Sequence, residues 1–265
     1  MRIDIGAYQP SFVIYARRRP PQNESLISPP CLGHQRVTPT PSTTLHIGFL
    51  LFPDVTQLDL TGPVQILSRV PGAKIHLLWK AIEPVMTDAG FSINPTTTFT
   101  DSPQLDVLCV PGGVGVVPLI NDPVTLSFLQ RQAAKARFIS SVCTGSIVLG
   151  AAGLLEGYES ACHWSWLHLL PALGATPIAK RVVRDRNRIS GGGVTSGIDF
   201  GLTLAAELAG EEAARLIQLG VEYDPKPPFD CGSPAAAGPE REAIVRGRNE
   251  KGVLLAQAAI ERLKA

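Results

Sequence analysis

Cys143 stands where an apolar segment typical of a strand runs directly into a segment of small residues typical of a helix. Phe138–Val142 is apolar enough for a buried strand, and Thr144, Gly145 and Ser146 form the first turn of the helix that follows. Backbone amides at a helix N-terminus favour an anion, so the sequence predicts a lowered thiol pKa and a populated, nucleophilic thiolate. The alternative is a buried structural cysteine, the more common fate of a free cysteine.

Two other turns are predicted to meet Cys143 at one edge of a sheet. Asp59 follows the first predicted strand, and Gly112 and Gly113 follow the strand Val107–Val110. Because ligands bind outside the carboxyl ends of strands in open α/β sheets, a carboxylate, backbone amides and a thiol should converge there. Together they suit covalent catalysis. Taken singly, Asp59 is also a good helix cap, and the glycine pair is also a good tight turn.

Other residues that suggest chemistry are interpreted as structural. The glycine run 191–193 lacks the spacing of a dinucleotide loop and the lysine of a P-loop, so we expect it to bring backbone close to the active edge. His163, Trp164 and Trp166 form an aromatic cluster that is typical of packing. Cys162 beside His163 is too isolated for a metal site, and none is predicted.

Composition is that of a globular enzyme of ordinary charge. The chain has 265 residues, of which 45% are hydrophobic and 18% charged, and its net charge of +1 argues against nucleic acid and anionic membranes as partners. No apolar run is long enough to span a membrane. An odd number of cysteines without paired spacing favours a reducing cytoplasm. They are Cys31, Cys109, Cys143, Cys162 and Cys231.

The chain divides into an extension and one domain. Residues 1–44 are rich in proline, serine and threonine and are predicted to be a poorly ordered extension. Residues 45–265 alternate strands with helices, which predicts a single α/β domain with a mainly parallel sheet covered on both faces. Helices are expected to start at Gly62-Pro63, Asp122-Pro123, Val194 and Pro239.

The last of these helices is predicted to form a C-terminal tail from about residue 239. Its apolar positions Val253, Leu254, Ala258 and Leu263 are expected to dock either on the body of the domain or on a second subunit.

Four segments together resemble the ThiJ/PfpI superfamily and, within it, the isocyanide hydratase branch. They are FLLFPDVTQLDLTGP at 49–63, VPGG at 110–113, SVCTGSIVLGAAGLL at 141–155 and SGGGVTSGIDFGLTLAAEL at 190–208. The resemblance covers residues 45–233 in order and spacing and leaves the first 44 residues without a counterpart. It implies a flavodoxin-like fold, a homodimer, and neither a metal nor an organic cofactor.

The resemblance also implies roles for individual residues. Cys143 is the implied nucleophile and Asp59 its acidic partner. The implied substrate-binding residues are Thr144 beside the nucleophile, Gly113 and Val114 as amide donors, and Gly192 and Val194 in the bordering backbone segment. Related glyoxalases and proteases usually carry a glutamate on the first turn and often a histidine after the cysteine. Asp59 and Thr144 stand in those places, which favours the hydratase branch.

The implied reaction adds water to an isocyanide to give an N-substituted formamide through a thioimidate on Cys143. A glyoxalase acting on reactive aldehydes and a thiol redox sensor remain alternatives. A ligand-sensing regulatory module is a third, but only 57 residues (265 − 208) follow Leu208, too few for both a helix-turn-helix pair and the helices of the domain.

Overall fold

A seven-stranded sheet forms the centre of the protein. The structure, a computed structural model, describes residues 44–264; the predicted disorder of residues 1–43 lies outside that range. The strands are β1 Leu45–Leu50, β2 Ala73–Trp79, β3 Val85–Met86, β4 Ser92–Ile93, β5 Thr97–Thr98, β6 Val107–Val110, β7 Phe138–Val142, β8 Glu159–Ser160, β9 Thr176–Pro177, β10 Val182–Asp185 and β11 Arg188–Gly191.

Eight α-helices and one 3₁₀ helix (Leu167–Leu173) accompany these strands within residues 44–264. The α-helices are α1 Gln57–Leu67, α2 Val116–Leu119, α3 Pro123–Ala133, α4 Gly145–Ala151, α5 Ser196–Ala209, α6 Glu211–Gly220, α7 Pro234–Ala237 and α8 Pro239–Lys264. They form two groups: α1, α5 and α6 pack together, while α2, α3, α4, α8 and the 3₁₀ helix pack with one another.

The large sheet is mainly parallel, as the sequence predicted. Its order is β10-β11-β7-β6-β1-β2-β5, and every pairing is parallel except the antiparallel hairpin β10–β11. The central strands β1, β6 and β7 are buried almost throughout. A parallel strand that is covered on both faces reads as a continuous apolar run. This flavodoxin-like arrangement places the ends of β1, β6 and β7 side by side.

The helix α1 begins five residues earlier than the sequence predicted. We expected Gly62-Pro63 to open it, but it starts at Gln57 and holds Pro63 in its interior. Proline is costly there because it lacks an amide hydrogen. Its ring packs against glycines of α5: a Cβ added at Gly197 would lie 3.1 Å from Pro63 Cδ, and one at Gly201 would lie 3.3 Å from Pro63 Cα. Close helix packing therefore accommodates the proline.

The C-terminal helix docks on the body of the domain; of the predicted positions Val253 packs against the core, and other residues complete the contact. Ala256, Ala259 and Ile260 are its buried residues. Asn121 Nδ2 donates to the carbonyl oxygen of Ala259 at 2.9 Å. Leu254 and Leu263, which were also expected to dock, remain exposed in the single chain, and their docking on a second subunit stays a prediction. The contacts with α2 and the 3₁₀ helix select small side chains that allow close approach.

Candidate active site

Cys143 occupies a left-handed turn between β7 and α4. Its φ is +58°, a region that non-glycine residues seldom enter and that costs on the order of 1–3 kcal/mol. Its amide donates to Gly191 O at 3.0 Å, and its carbonyl accepts from Ser146 Oγ at 3.2 Å. Neighbouring elements thus hold the strained residue from both sides. Strain at a reactive side chain is a hallmark of functional positions.

The lack of a side chain at Gly145 allows the start of α4 to pack directly against the end of β6. A Cβ built there would lie 2.0 Å from Val110 O and 2.7 Å from Pro111 O. These are backbone atoms, so no side-chain movement could relieve the clash. The first turn of α4, and with it Cys143, is therefore seated directly against the neighbouring strand end.

Asp59 reaches the same point from the first turn of α1. Its Oδ2 accepts the Gly112 amide at 3.0 Å, and the Cys143 thiol lies near enough to affect the pKa of its carboxyl group. A Cβ at Gly112 would lie 2.6 Å from both Asp59 Oδ2 and Thr144 N. Only glycine lets the carboxyl group approach the start of α4 this closely. The predicted convergence of Asp59, the glycine turn and Cys143 is what the structure contains.

Burial governs the protonation of Asp59, whose side chain is fully enclosed. Loss of solvent raises its pKa from 3.8 to about 7; hydrogen bonds from Cys143 and Gly112 act in the opposite direction, and the carboxylate of Asp88 adds to the rise. Near neutral pH this carboxyl group therefore exchanges its proton readily. Its Oδ1 accepts no hydrogen bond from any residue in the range 44–264.

The predicted lowering of the Cys143 pKa is wrong for the resting site. Burial raises the pKa of the thiol, and negative charge on Asp59 and on Cys162 raises it further. The Thr144 amide at the helix N-terminus acts to lower it, as the sequence suggested, but does not prevail over burial. The sequence indicates the helix start and the nearby carboxyl group, but not how completely both groups are buried.

Asp59 and Cys143 are best treated as one titrating pair. Two acidic groups in contact share protons, and their titration belongs to the pair. Below about pH 7 both groups are protonated, and above it the pair holds a single proton. In that form the carboxylate can accept the thiol proton as the sulfur attacks. The pair can therefore deliver a nucleophile without a free thiolate at rest.

A cavity of about 270 Å³ opens above Cys143. Of the predicted substrate-binding residues, Thr144, Gly113, Val114 and Val194 line it. Its other lining residues are Thr56, Asp88, His163, Trp166, Arg248, Asn249 and Gly252. Its size suits a small molecule with its reactive end against the sulfur.

Two predicted site residues have different surroundings from those expected. The amide of Gly113 donates to Thr144 Oγ1 at 2.9 Å, and the same hydroxyl donates to Gly113 O at 3.1 Å, so this amide is already engaged. Gly192 does not border the cavity. Its amide donates to Arg181 O at 2.9 Å, and a Cβ there would lie 3.0 Å from Lys180 O. Close backbone packing therefore explains that glycine.

Sequence reasoning missed one whole wall of the cavity. Arg248, Asn249 and Gly252 come from α8, more than 100 residues after the cysteine, and no local pattern marks them. His163, predicted to be packing, also faces the cavity. Of the aromatic residues considered for the pocket, Trp166 lines it while Trp164 does not.

Two kinds of feature are absent from residues 44–264. No cluster of three or more histidine, cysteine, aspartate or glutamate side chains there could hold a metal ion. No helix in this range is both long and apolar enough to cross a membrane.

A flavodoxin-like sheet with a strained, buried cysteine at its carboxyl edge and a carboxyl group beside it defines a class of cysteine-containing α/β proteins. The chain belongs to the DJ-1/PfpI family, whose sequence model matches residues 46–207. The match spans β1 to α5 and includes both Asp59 and Cys143. The helix α8 lies beyond it.

Three proteins illustrate the similarity of this chain to known proteins. An isonitrile hydratase from Pseudomonas putida is 58% identical over 193 residues, which make up 73% of this chain and 85% of that protein. The crystal structure of a ThiJ/PfpI family protein from Pseudomonas syringae superimposes with a TM-score of 0.81 at 41% identity, covering 88% of this chain and 97% of that one. The HTH-type transcriptional regulator GbdR of Pseudomonas aeruginosa is 31% identical over 71% of this chain but 53% of its own length.

Proposed function

We propose that this protein is a cofactor-independent isonitrile hydratase that converts an isocyanide and water into an N-substituted formamide. The observation that carries the proposal is the position of Asp59 beside Cys143, which itself lines a small cavity. The 58% identity to an isonitrile hydratase over most of that enzyme's length supplies the substrate class. Cys143 is the nucleophile and Asp59 moves the protons.

The first half of the reaction joins the substrate to sulfur. The Cys143 sulfur attacks the terminal carbon of R–N≡C, and Asp59 accepts the thiol proton as the S–C bond forms. The carboxyl group then gives a proton to the same carbon, which leaves the thioimidate R–N=CH–S on Cys143. A carboxyl group with a pKa of about 7 suits both steps, because it accepts and returns a proton near neutral pH.

The second half releases the product with water. Water adds to the thioimidate carbon, and Asp59 takes its proton and passes it to the nitrogen, which gives R–NH–CH(OH)–S on Cys143. The C–S bond then breaks as Asp59 accepts the hydroxyl proton and returns a proton to the departing sulfur, and R–NH–CHO leaves. Summed over both halves, one isocyanide and one water give one formamide, and the pair returns to its starting protonation.

Two observations favour an enzyme over the regulatory alternative. The alignment with GbdR spans about half of that regulator, whereas the alignment with the isonitrile hydratase spans 85% of the enzyme. The helix α8 is docked on the domain and contributes residues to the cavity beside Cys143, as expected of part of a catalytic site.

The test compares an isocyanide with methylglyoxal on one enzyme preparation. We expect formamide production from the isocyanide by the wild type, loss of that activity by more than 10⁴-fold in Cys143→Ala, and full activity in Cys231→Ser. Cys231 is exposed and lies outside the cavity, so it serves as the matched control. Turnover of methylglyoxal alone would support the glyoxalase alternative and overturn the proposal.

The proposal includes a homodimer in the cytoplasm. A dimer is supported by the family resemblance and by exposed apolar side chains on α6, where Leu216 and Leu219 are 61% and 77% exposed. The free state of Cys109, Cys143 and Cys162 suits a reducing compartment. Sedimentation analysis at micromolar concentration tests the dimer, and a species of 28.2 kDa would contradict it.

A further inference from the structure

A chain of three polar side chains leads from α8 to the wall of the cavity. Asn249 Nδ2 donates to Ser165 Oγ at 3.0 Å. The distance from Ser165 Oγ to His163 Nδ1 is 2.9 Å, and the Ser165 amide donates to the same ring nitrogen at 3.4 Å. Ser165 is buried, and both His163 and Asn249 line the cavity.

These contacts determine which nitrogen of His163 carries the proton. A backbone amide is always a donor, so Nδ1 must act as an acceptor toward Ser165. The Ser165 hydroxyl accepts from Asn249, which leaves its own hydrogen free to be donated to Nδ1. The proton of a neutral ring is therefore on Nε2. Burial lowers the pKa of His163, which keeps the ring neutral near pH 7.

The Nε2–H group of His163 is available to a ligand. It makes no hydrogen bond with any residue between 44 and 264, and it is not among the fully enclosed polar atoms without a partner. Nε2 thus reaches solvent, in a residue that lines the same cavity as Cys143. A neutral donor held in one tautomer is a suitable binding group for an uncharged acceptor.

The proposed reaction creates such an acceptor only after sulfur has added. In R–N≡C the nitrogen has no free electron pair, whereas in the thioimidate R–N=CH–S it carries one. A donor aimed at this nitrogen therefore stabilises the intermediate and the path to it without binding the substrate more tightly. Interactions of this kind raise kcat rather than lower KM.

We propose that His163, held by Ser165 and Asn249, donates its Nε2–H hydrogen bond to the substrate-derived nitrogen of the thioimidate. The bond withdraws electron density from the C=N group, which promotes attack by water, and the histidine itself neither gains nor loses a proton. His163 is then a catalytic residue, and Ser165 and Asn249 are positioning residues. This inference rests on the proposed hydratase function.

The tautomer is tested first, because its measurement needs no turnover. In ¹⁵N-histidine-labelled protein we expect the His163 ring signals of a neutral Nε2–H tautomer near pH 7. In Asn249→Ala and Ser165→Ala the signals should shift toward a mixture of tautomers. A wild-type ring protonated on Nδ1 would overturn the proposal.

Kinetics on the full-length protein then test the role in catalysis. We expect His163→Ala to lower kcat for isocyanide hydration about 10- to 100-fold with KM changed less than threefold. His163→Gln, which keeps an N–H donor, should recover part of the loss. The matched control is His168→Ala, since His168 lies in the 3₁₀ helix and does not line this cavity.

The outcomes separate this inference from the function on which it rests. A wild type that hydrates no isocyanide refutes the hydratase proposal. A wild type that hydrates isocyanide while His163→Ala matches its kcat refutes the role of His163 alone. A rise in KM with kcat unchanged would also overturn it, since that result indicates substrate binding without stabilisation of the intermediate.

Discussion

In the proposed reaction, Cys143 and Asp59 have different roles because their environments differ from those of exposed groups. The cysteine is buried in a strained turn and keeps its proton at rest, while the aspartate beneath it holds a pKa of about 7. Nucleophilicity therefore arises from the pair. A thiol that stays protonated until substrate arrives is also less exposed to oxidation, which requires the thiolate.

The pair predicts a specific pH dependence. The reactive form holds one proton, so kcat/KM for isocyanide should rise as pH increases through about 7 and level off above it. In Asp59→Asn this rise should disappear, and the rate at its plateau should fall by about 10²–10⁴-fold. Stopped-flow kinetics between pH 5 and 9 measure both. A wild-type profile that falls through pH 7 would contradict the assignment.

The free energy of unfolding of Asp59→Asn provides a control for the kinetic result. The folded-state pKa of Asp59 lies above its unfolded value, so the stability it contributes is present below about pH 4 and is lost as pH rises through about 7. Removing the charge should therefore make Asp59→Asn more stable than the wild type at pH 8, by roughly 2–4 kcal/mol. Urea unfolding at pH 4 and pH 8 checks this. Equal stabilities at pH 8 would indicate an Asp59 that is readily ionised.

At the scale of elements, glycines set how closely the start of α4 approaches the strand ends. Replacing Gly145 puts a methyl carbon within 2.0 Å of Val110 O. We expect Gly145→Ala to lower the free energy of unfolding by about 3 kcal/mol. Gly247→Ala is the matched control, because its Cβ meets nothing within 4 Å in α8, and it should stabilise the helix by about 0.5–1 kcal/mol. Thermal unfolding measures the stability of both variants. Equal changes in Gly145→Ala and Gly247→Ala would refute the packing argument.

The bounds of strands and helices were predicted best where one local sequence pattern determined them. The strands β6 and β7 were predicted with the bounds observed, because continuous apolar runs ended in clear turn residues. The helix α3 begins at Pro123 with Asp122 as its N-cap, as the Asp122-Pro123 pair predicted. The start of α1 was missed because Pro63 is usually a first-turn residue, and its packing against α5 could not be read locally.

At the scale of the whole molecule, the candidate active site combines residues from inside and from outside the region matched by the family model. The thiol, the carboxyl group and the glycine turn lie in residues 46–207, the part matched by the family model, and the sequence located all three. The wall contributed by α8 lies outside that match and was not predicted. Contacts across more than 100 residues depend on how the final helix docks, and its buried residues, Ala256, Ala259 and Ile260, form no distinctive pattern.

This division suggests where substrate preference resides. Cys143 and Asp59 lie within the region matched by the family model, whereas Arg248, Asn249 and Gly252 line the cavity from α8. A close contact fixes this wall, since a Cβ at Gly252 would lie 2.9 Å from the Trp166 ring. We therefore expect substitutions in α8 to change the preference for the R group.

The covalent intermediate provides the most direct test of the central claim, that the sulfur of Cys143 adds to the isocyanide carbon. Wild-type protein mixed with excess isocyanide is quenched in acid within the first turnovers, and the intact mass and the peptide map are recorded. We predict a mass increase equal to one isocyanide, located on the peptide that contains Cys143 and absent from Cys143→Ala. Formamide production at the wild-type rate by Cys143→Ala, with no adduct on Cys143 in the wild type, would contradict the account.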